Sequence, residues 1–191
     1  MNTEHYLQPG PGKATSLNSS EAVNLRRPKN NAHLEIVVKK GMIRLGATKT
    51  DNTNDLTLAF ACSTETCAFN YPENIDIKIE ALIDTTYIVQ YSNQAESKGH
   101  DSIIDWILQL HIVRLETNSE RRIMKLFQLL TTRLGKRTSE GLLLEYSLSH
   151  SRIAEMVGST RSTVSRTISS LRKANKIYID ELRNHLILPV D

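Results

Sequence analysis

Between Ser149 and Lys173 the chain reads SHSRIAEMVGSTRSTVSRTISSLRK, and the residues there that could do chemistry are Arg161 and Arg166, set among Ser162, Ser165 and Ser169. A forked guanidinium can engage a guanine edge through two hydrogen bonds, and short hydroxyls let the N-terminus of a helix approach phosphates. No carboxylate interrupts that face. The opposite side has Val164, Ile168 and Leu171 at i, i+4 and i+7, the stripe by which an amphipathic helix is held against a core. Ahead of it Ser149 is a good N-cap, Ile153, Ala154 and Val157 give a short first helix its inner face, Gly158 allows the positive φ of a tight turn, and Thr160 caps the second helix. Ala154 is small where two helices would cross. The spacing predicts a helix-turn-helix, one helix lying across DNA and the second entering the major groove. An ordinary solvated helix also fits the apolar positions taken alone, since serine, threonine and arginine are common on surfaces.

The flanks carry the elements that would position this pair. Thr117 and Glu120 have the spacing of a capping box, opening a helix with Ile123, Leu126, Phe127, Leu130 and Leu134 on one face and a stop at Gly135. The loop GKRTSEG then leads to an apolar strand, Leu142 to Leu148. After Lys173, Ile177 to Asp180 and His185 to Leu188 read as a hairpin around Leu182-Arg183-Asn184, a wing whose Arg183 is placed to meet the phosphate backbone. A winged helix-turn-helix over Ser119 to Asp191 follows.

Residues 101–116, DSIIDWILQLHIVRLE, predict a helix that is apolar on two sides, with Ile103, Ile107 and Leu110 forming one stripe and Ile104, Leu108 and Leu115 another. One stripe can cover a neighbouring layer, and the other needs a further partner, either the rest of the chain or a parallel copy of the same helix. A dimer about a two-fold axis would match a palindromic DNA site, and the stripe assigned to that role is Ile103, Ile107 and Leu110.

Before this helix, residues 1–33 hold three of the five prolines with much Asn, Ser and Gly, and are read as a flexible arm with a basic knot at Arg26, Arg27 and Lys29. Short β runs follow at Leu34 to Val38, Gly41 to Ala47, Leu56 to Ala61, Ile75 to Ala81 and Thr86 to Tyr91; Ile75, Ile77, Ile79 and Ala81 alternate as one face of a strand does. Five strands so spaced imply a small antiparallel sandwich or roll.

Composition narrows the function. With 191 residues and 39% hydrophobic content the chain can form two small domains. The net charge of +3 is uneven: from Arg114 onward there are 14 Lys+Arg and 8 Asp+Glu, or +6, and before it 10 and 13, or −3. The basic part is the one with the helix pair, as a phosphate-binding surface requires. No apolar run approaches the ~20 residues of a membrane span, and no secretory layout opens the chain, so it is read as cytoplasmic with no membrane partner. Cys62 and Cys67 cannot supply four thiolates and are read as buried small hydrophobes. No histidine pair has metal-ligand spacing, no Gly-rich phosphate loop is present, and no catalytic grouping stands out, so neither an enzyme, a metal nor a cofactor is expected.

The helix pair resembles that of the cyclic-AMP receptor protein and Fnr family of bacterial transcription regulators, through Ile153, Val157, Gly158, Arg161, Thr163, Val164, Arg166 and Leu171. Its wording is most similar to the cyanobacterial nitrogen-control branch, and Lys40-Gly41-Met42-Ile43-Arg44-Leu45 looks like the turn and strand of the family's effector-binding roll. The likeness runs from about Leu34 to Leu188 and is strongest after Ser119. It implies an α+β fold: an abbreviated, jelly-roll-like β-roll sensor domain at 34–95, a long dimerisation helix and hinge at 96–118, and the winged helix-turn-helix at 119–191. By position in the family motif, Arg161 and Arg166 would read base edges with Ser162 adding a weaker contact, while Ser149, His150, Thr160 and Thr163 would hold phosphates. Ser162 and Thr167 depart from the usual residues, the first bearing on which DNA sequence is read. The implied partners are double-stranded DNA, a second copy of the chain and RNA polymerase. A winged helix can instead be a protein-interaction module, its arginines meeting an acidic partner. The family's cyclic-nucleotide cassette has a Gly-Glu and an Arg-Ser pair, whereas Ser63 to Ile77 has neither pair and no arginine. Cyclic AMP is therefore not the expected effector, since a buried anion needs a cation or a cradle of amides.

Overall fold

The structure is a computed structural model in which residues 12–25, 27, 33–48, 55–63, 66–92 and 101–189 are described. The chain forms two units, Met1–Ile107 and Leu108–Asp191. Arg26 and Lys29 of the basic knot lie outside the described residues.

The first unit contains two four-stranded antiparallel sheets, a jelly-roll-like arrangement. One has the order β1 (Ala14–Leu17), β8 (Thr85–Ser92), β3 (His33–Lys40), β6 (Thr66–Asn70); the other has β2 (Ala22–Leu25), β7 (Asp76–Ala81), β4 (Met42–Thr48), β5 (Leu56–Cys62). Burial alternates as a two-residue period demands: Leu34, Ile36 and Val38 on β3, Ile77 and Ile79 on β7, and Tyr87 and Val89 on β8 are all buried. Cys62 and Cys67 are buried with them. Burial pushes the Tyr87 hydroxyl up to about 12, and among the described residues it meets no hydrogen-bond partner.

Two expectations change here. Residues 14–17 and 22–25 are not part of a flexible arm: β1 pairs with β8 from Ala14↔Ile88 to Leu17↔Thr85, and β2 pairs with β7 from Ala22↔Glu80 to Leu25↔Ile77. These pairings satisfy backbone groups of two central strands and bury Leu17, Val23 and Leu25. With β6 also present the described residues of the roll form eight strands, more than the five read from the sequence. Arg27 is held at the roll, its guanidinium over the Tyr71 ring at 5.6 Å and donating to the Ile75 carbonyl at 3.0 Å.

The Gly41-x-x-Arg44-Leu45 segment has a structural explanation. Gly41 turns the chain at φ +91°, and Arg44 is fully buried, donating from Nε to Glu80 at 2.7 Å and from Nη1 to Thr57 at 3.3 Å and pairing through Nη2 with Asp55. Two carboxylates and a hydroxyl offset the desolvation of that cation.

Helix α1 (Ser102–Arg114) starts from Asp101, whose Oδ1 accepts from the amides of Ile103 and Ile104, both at 3.0 Å. Trp106 is fully buried, edge-on to Phe60 at 5.2 Å between ring centroids. The two apolar stripes of this helix are not equivalent. Ile103 and Leu110 are only 8% and 6% exposed and Ile107 is half-buried, whereas Ile104, Leu108 and Leu115 are 66%, 56% and 81% exposed. The stripe assigned to dimerisation, Ile103, Ile107 and Leu110, is thus the one the chain itself covers, and the open stripe is Ile104, Leu108, Ile112 and Leu115.

In the second unit, helix α2 (Ser119–Leu134) buries Ile123, Leu126, Phe127, Leu130 and Leu134, the face expected. Its cap is Asn118 rather than Thr117: the Asn118 side chain accepts from the Arg121 amide at 2.9 Å, and Glu120 reaches Lys176 at 2.7 Å instead of folding back. Gly135 ends the helix in extended backbone, φ −88°, so its role is space, since a Cβ there would lie 2.4 Å from the Thr131 carbonyl. The GKRTSEG loop contains a strand, β9 (Lys136–Thr138), paired with β10 (Gly141–Leu144), which ends four residues before the expected limit. Strands β11 (Tyr178–Asp180) and β12 (His185–Leu188) complete a sheet of order β11-β12-β10-β9, and with α3 (His150–Val157) and α4 (Arg161–Lys173) the unit is a winged helix-turn-helix. The fold class is α+β.

Candidate nucleic-acid interface

Each device that sets the helix pair is formed as the sequence requires. The Ser149 hydroxyl accepts from the Arg152 amide at 3.2 Å; Ile153, Ala154 and Val157 are buried, joined by Met156, which the sequence reading passed over. Gly158 adopts the left-handed conformation at φ 65°, and the Thr160 hydroxyl accepts from the Thr163 amide at 3.2 Å. Val164, Ile168 and Leu171 are buried to within 3%. The outward side of α4 is fixed by subtraction.

On that side the hydroxyls are largely occupied by the helix itself. Thr160 Oγ1 lies 3.0 Å from both Ser162 Oγ and Thr163 Oγ1, Thr167 donates to the Thr163 carbonyl at 2.9 Å, and Ser169 donates to the Ser165 carbonyl at 3.0 Å. Arg172 pairs with Glu181 at 2.8 Å. Arg161 and Arg166 are exposed, and among the described residues neither has an ion pair or side-chain hydrogen bond. Helix α4 carries no acidic residue, so nothing on it neutralises them. Two cationic forks stand ready among short hydroxyls over the first turns of the helix.

The other assigned residues are less alike than the sequence implied. Ser149 and Thr160 are exposed at the helix starts, and Thr163 is half-buried behind Thr160. His150 is half-buried and lines a crevice with Phe127, Leu144, Ile168 and Leu186. Arg183 stands in the wing turn, where Asp180 Oδ1 accepts from the amides of Leu182 at 3.0 Å and Arg183 at 3.1 Å. Its guanidinium, itself exposed, comes within 3.8 Å of the half-buried Asp180, a long surface pair of the kind that contributes about 0–1 kcal/mol. Arg183→Ala should weaken selected and random duplexes by similar factors and lower the salt slope of binding by roughly one unit, because a phosphate contact releases a counterion whatever the sequence. A sequence-dependent loss in anisotropy titrations would place Arg183 at a base edge instead. Arg137, exposed on β9, is a further cation of this unit that sequence reading left in a loop.

Among the described residues no group of three or more His, Cys, Asp or Glu could hold a metal ion, and no helix is long and apolar enough to cross a membrane.

Residues 120–189 match the family model of the Crp-like helix-turn-helix domain. A "probable transcriptional activator" of Rhizobium leguminosarum bv. viciae is 30% identical over 130 residues, covering 68% of this chain and 50% of that protein. The "global nitrogen regulator" of Synechococcus elongatus is 34% identical over 88 residues, 44% of this chain and 39% of that protein. The matched stretches thus span half or less of these curated relatives. Among solved structures, FixK2 from Bradyrhizobium japonicum superposes with a TM-score of 0.66 at 16% identity, covering 93% of this chain and 92% of that one. A Crp-family transcriptional regulator from Thermus thermophilus gives 0.62 at 17% identity, with 92% of each chain covered. At such identities these two speak to the fold. Domain match, relatives and fold converge, and the chain belongs to the cyclic-AMP receptor protein and Fnr family.

Proposed function

We propose that the protein is a sequence-specific DNA-binding transcription regulator that acts as a homodimer on a palindromic site without cyclic AMP. The observation that carries this reading is the outward face of α4, where Arg161 and Arg166 are exposed and, among the described residues, unpaired, on a helix with no acidic residue. In a major groove such forks can take guanine O6 and N7 together, while the hydroxyls at the start of α4 and of α3 approach phosphates. Two copies about a two-fold axis would bring their α4 helices to successive grooves, one helical turn apart at about 34 Å. A cytoplasmic setting and contact with RNA polymerase belong to the same proposal.

The test is anisotropy titration of a random-sequence duplex between about 50 and 200 mM salt. Affinity should fall steeply and linearly on logarithmic axes, as counterion release demands. Binding that is absent or flat with salt would favour a protein-interaction module.

Cyclic AMP should neither bind measurably nor raise DNA affinity. The segment Ser63 to Ile77 holds no arginine. The guanidinium brought beside it, that of Arg27, is engaged by the Ile75 carbonyl and the Tyr71 ring. Calorimetric titration yielding binding at micromolar nucleotide would overturn this.

A further inference from the structure

Helix α3 ends in a way that leaves two carbonyls over. The amide of Gly158 makes the last regular bond of the ladder, to the Ala154 carbonyl, and that of Ser159, which would take the Glu155 carbonyl next, turns back to the same Ala154 carbonyl at 2.9 Å. The carbonyls of Glu155 and Met156 are then among the orphans that every helix C-terminus carries. Both are taken by one side chain from far away in sequence: Arg114, the last residue of α1, donates from Nε to the Met156 carbonyl at 2.8 Å and from Nη2 to the Glu155 carbonyl at 2.7 Å. A guanidinium fork fits two adjacent carbonyls, and its charge sits at the negative end of the α3 dipole.

The segment between α1 and α2 is also restrained. Only four residues, Leu115 to Asn118, separate the two helices. The amides of Leu115 and Glu116 close back on Ile112 at 3.2 Å and Val113 at 3.4 Å, and the carbonyl of Glu116 accepts from Arg122 Nε at 2.8 Å. The last turn of α1 is therefore joined to the winged helix-turn-helix by a short braced segment and by the Arg114 fork. Helix α4 follows α3 through the capped turn at Gly158 to Thr160, so the fork ties the end of α1 to the pair that includes the recognition helix.

We propose that Arg114 is a positioning residue for DNA binding, a clamp that fixes the helix pair on the end of α1 so that pairing of α1 with its copy sets the separation of the two recognition helices. This rests on the dimeric DNA-binding reading above. The same turns of helix carry the open apolar residues Leu108, Ile112 and Leu115, so the surface that would meet the second copy and the clamp that holds the helix pair lie side by side within the second unit.

The test uses the full chain and duplexes with two identical half-sites at spacings differing by one base pair, together with an isolated half-site, read by anisotropy. Wild type should prefer one spacing sharply. Arg114→Ala should bind the isolated half-site as wild type does, yet its discrimination between the best spacing and its neighbours should shrink at least about fivefold, the lower range of coupling between distant sites. Arg114→Lys, which has a single ammonium in place of a fork, should restore part of that discrimination. Thermal unfolding followed by circular dichroism checks the fold, and if Arg114→Ala is unfolded, Arg114→Gln should give the same flattening with one donor kept. Unchanged discrimination in a folded variant overturns the clamp, as does an equal loss on half-site and palindrome, which would make Arg114 a purely structural brace. Wild type without any spacing preference would sink the dimeric reading itself, and the clamp with it.

Discussion

Arg166→Ala should weaken binding to the preferred site by about 1–3 kcal/mol, roughly a 5- to 150-fold loss, while random duplex loses far less. The side chain lies on the exposed stripe Ser162, Arg166 and Ser169 of α4, opposite the buried Val164, Ile168 and Leu171. No partner within the described residues must be released before it reaches DNA, so the whole contact appears in the measured difference. Ser162 and Ser169 are already hydrogen-bonded within the helix, Ser162 to Thr160 at 3.0 Å and Ser169 to the Ser165 carbonyl at 3.0 Å. That leaves Arg166 as the long donor on its stripe, with Arg161 the second fork at the start of the helix. Lysine at 166 should recover only part of the loss, because a single ammonium cannot take both guanine acceptors in the plane of the base. Anisotropy titrations of the variant against selected and random duplexes decide the matter: an equal loss on every duplex would make Arg166 a phosphate clamp and move the recognition face elsewhere.

Leu108→Glu should give a monomer and reduce affinity for the palindrome toward that of a single half-site, a loss of about 100-fold or more where two linked contacts become one. Leu108 is more than half exposed in the middle of α1, with Ile104 one turn before it and Ile112 one turn after. A carboxylate at the centre of that stripe would be desolvated against its own copy across the two-fold axis, where like charges meet. Light scattering reads the assembly directly. The contrast is with Leu110, which is buried within the chain, so that a charge there should unfold the protein and say nothing of its partner. A Leu108→Glu variant that remains dimeric would place the contact on another surface.

What could be read from the sequence, and what could not, follows the range of the interactions. Ser149, Gly158 and Thr160 act on amides within three residues of themselves or on their own φ, and their types announce those roles. The buried faces of α2 and α4 are strongly periodic and were equally plain. Strands β1 and β2 have four residues each, with the sequences ATSL and AVNL, too short and polar to alternate visibly; their existence depends on β8 and β7, more than fifty residues later. Arg44 belongs to a recognisable segment, yet its partners Asp55 and Glu80 are 11 and 36 positions away. Helix α1 is the clearest limit. A helix apolar on two sides has no single hydrophobic direction, so periodicity could identify both stripes and could not tell which one its own chain would cover. The Arg114 fork spans 41 and 42 positions to backbone carbonyls, which have no signature in sequence at all.

The central claim, that a pair of these chains reads one DNA sequence twice, is tested most directly by selecting duplexes from a random pool with the intact protein. A recovered palindrome, its half-sites about one helical turn apart and each containing a guanine that Arg166→Ala no longer requires, is the predicted result. A pool that keeps its starting composition after repeated rounds, or converges on a single non-palindromic site, would contradict it.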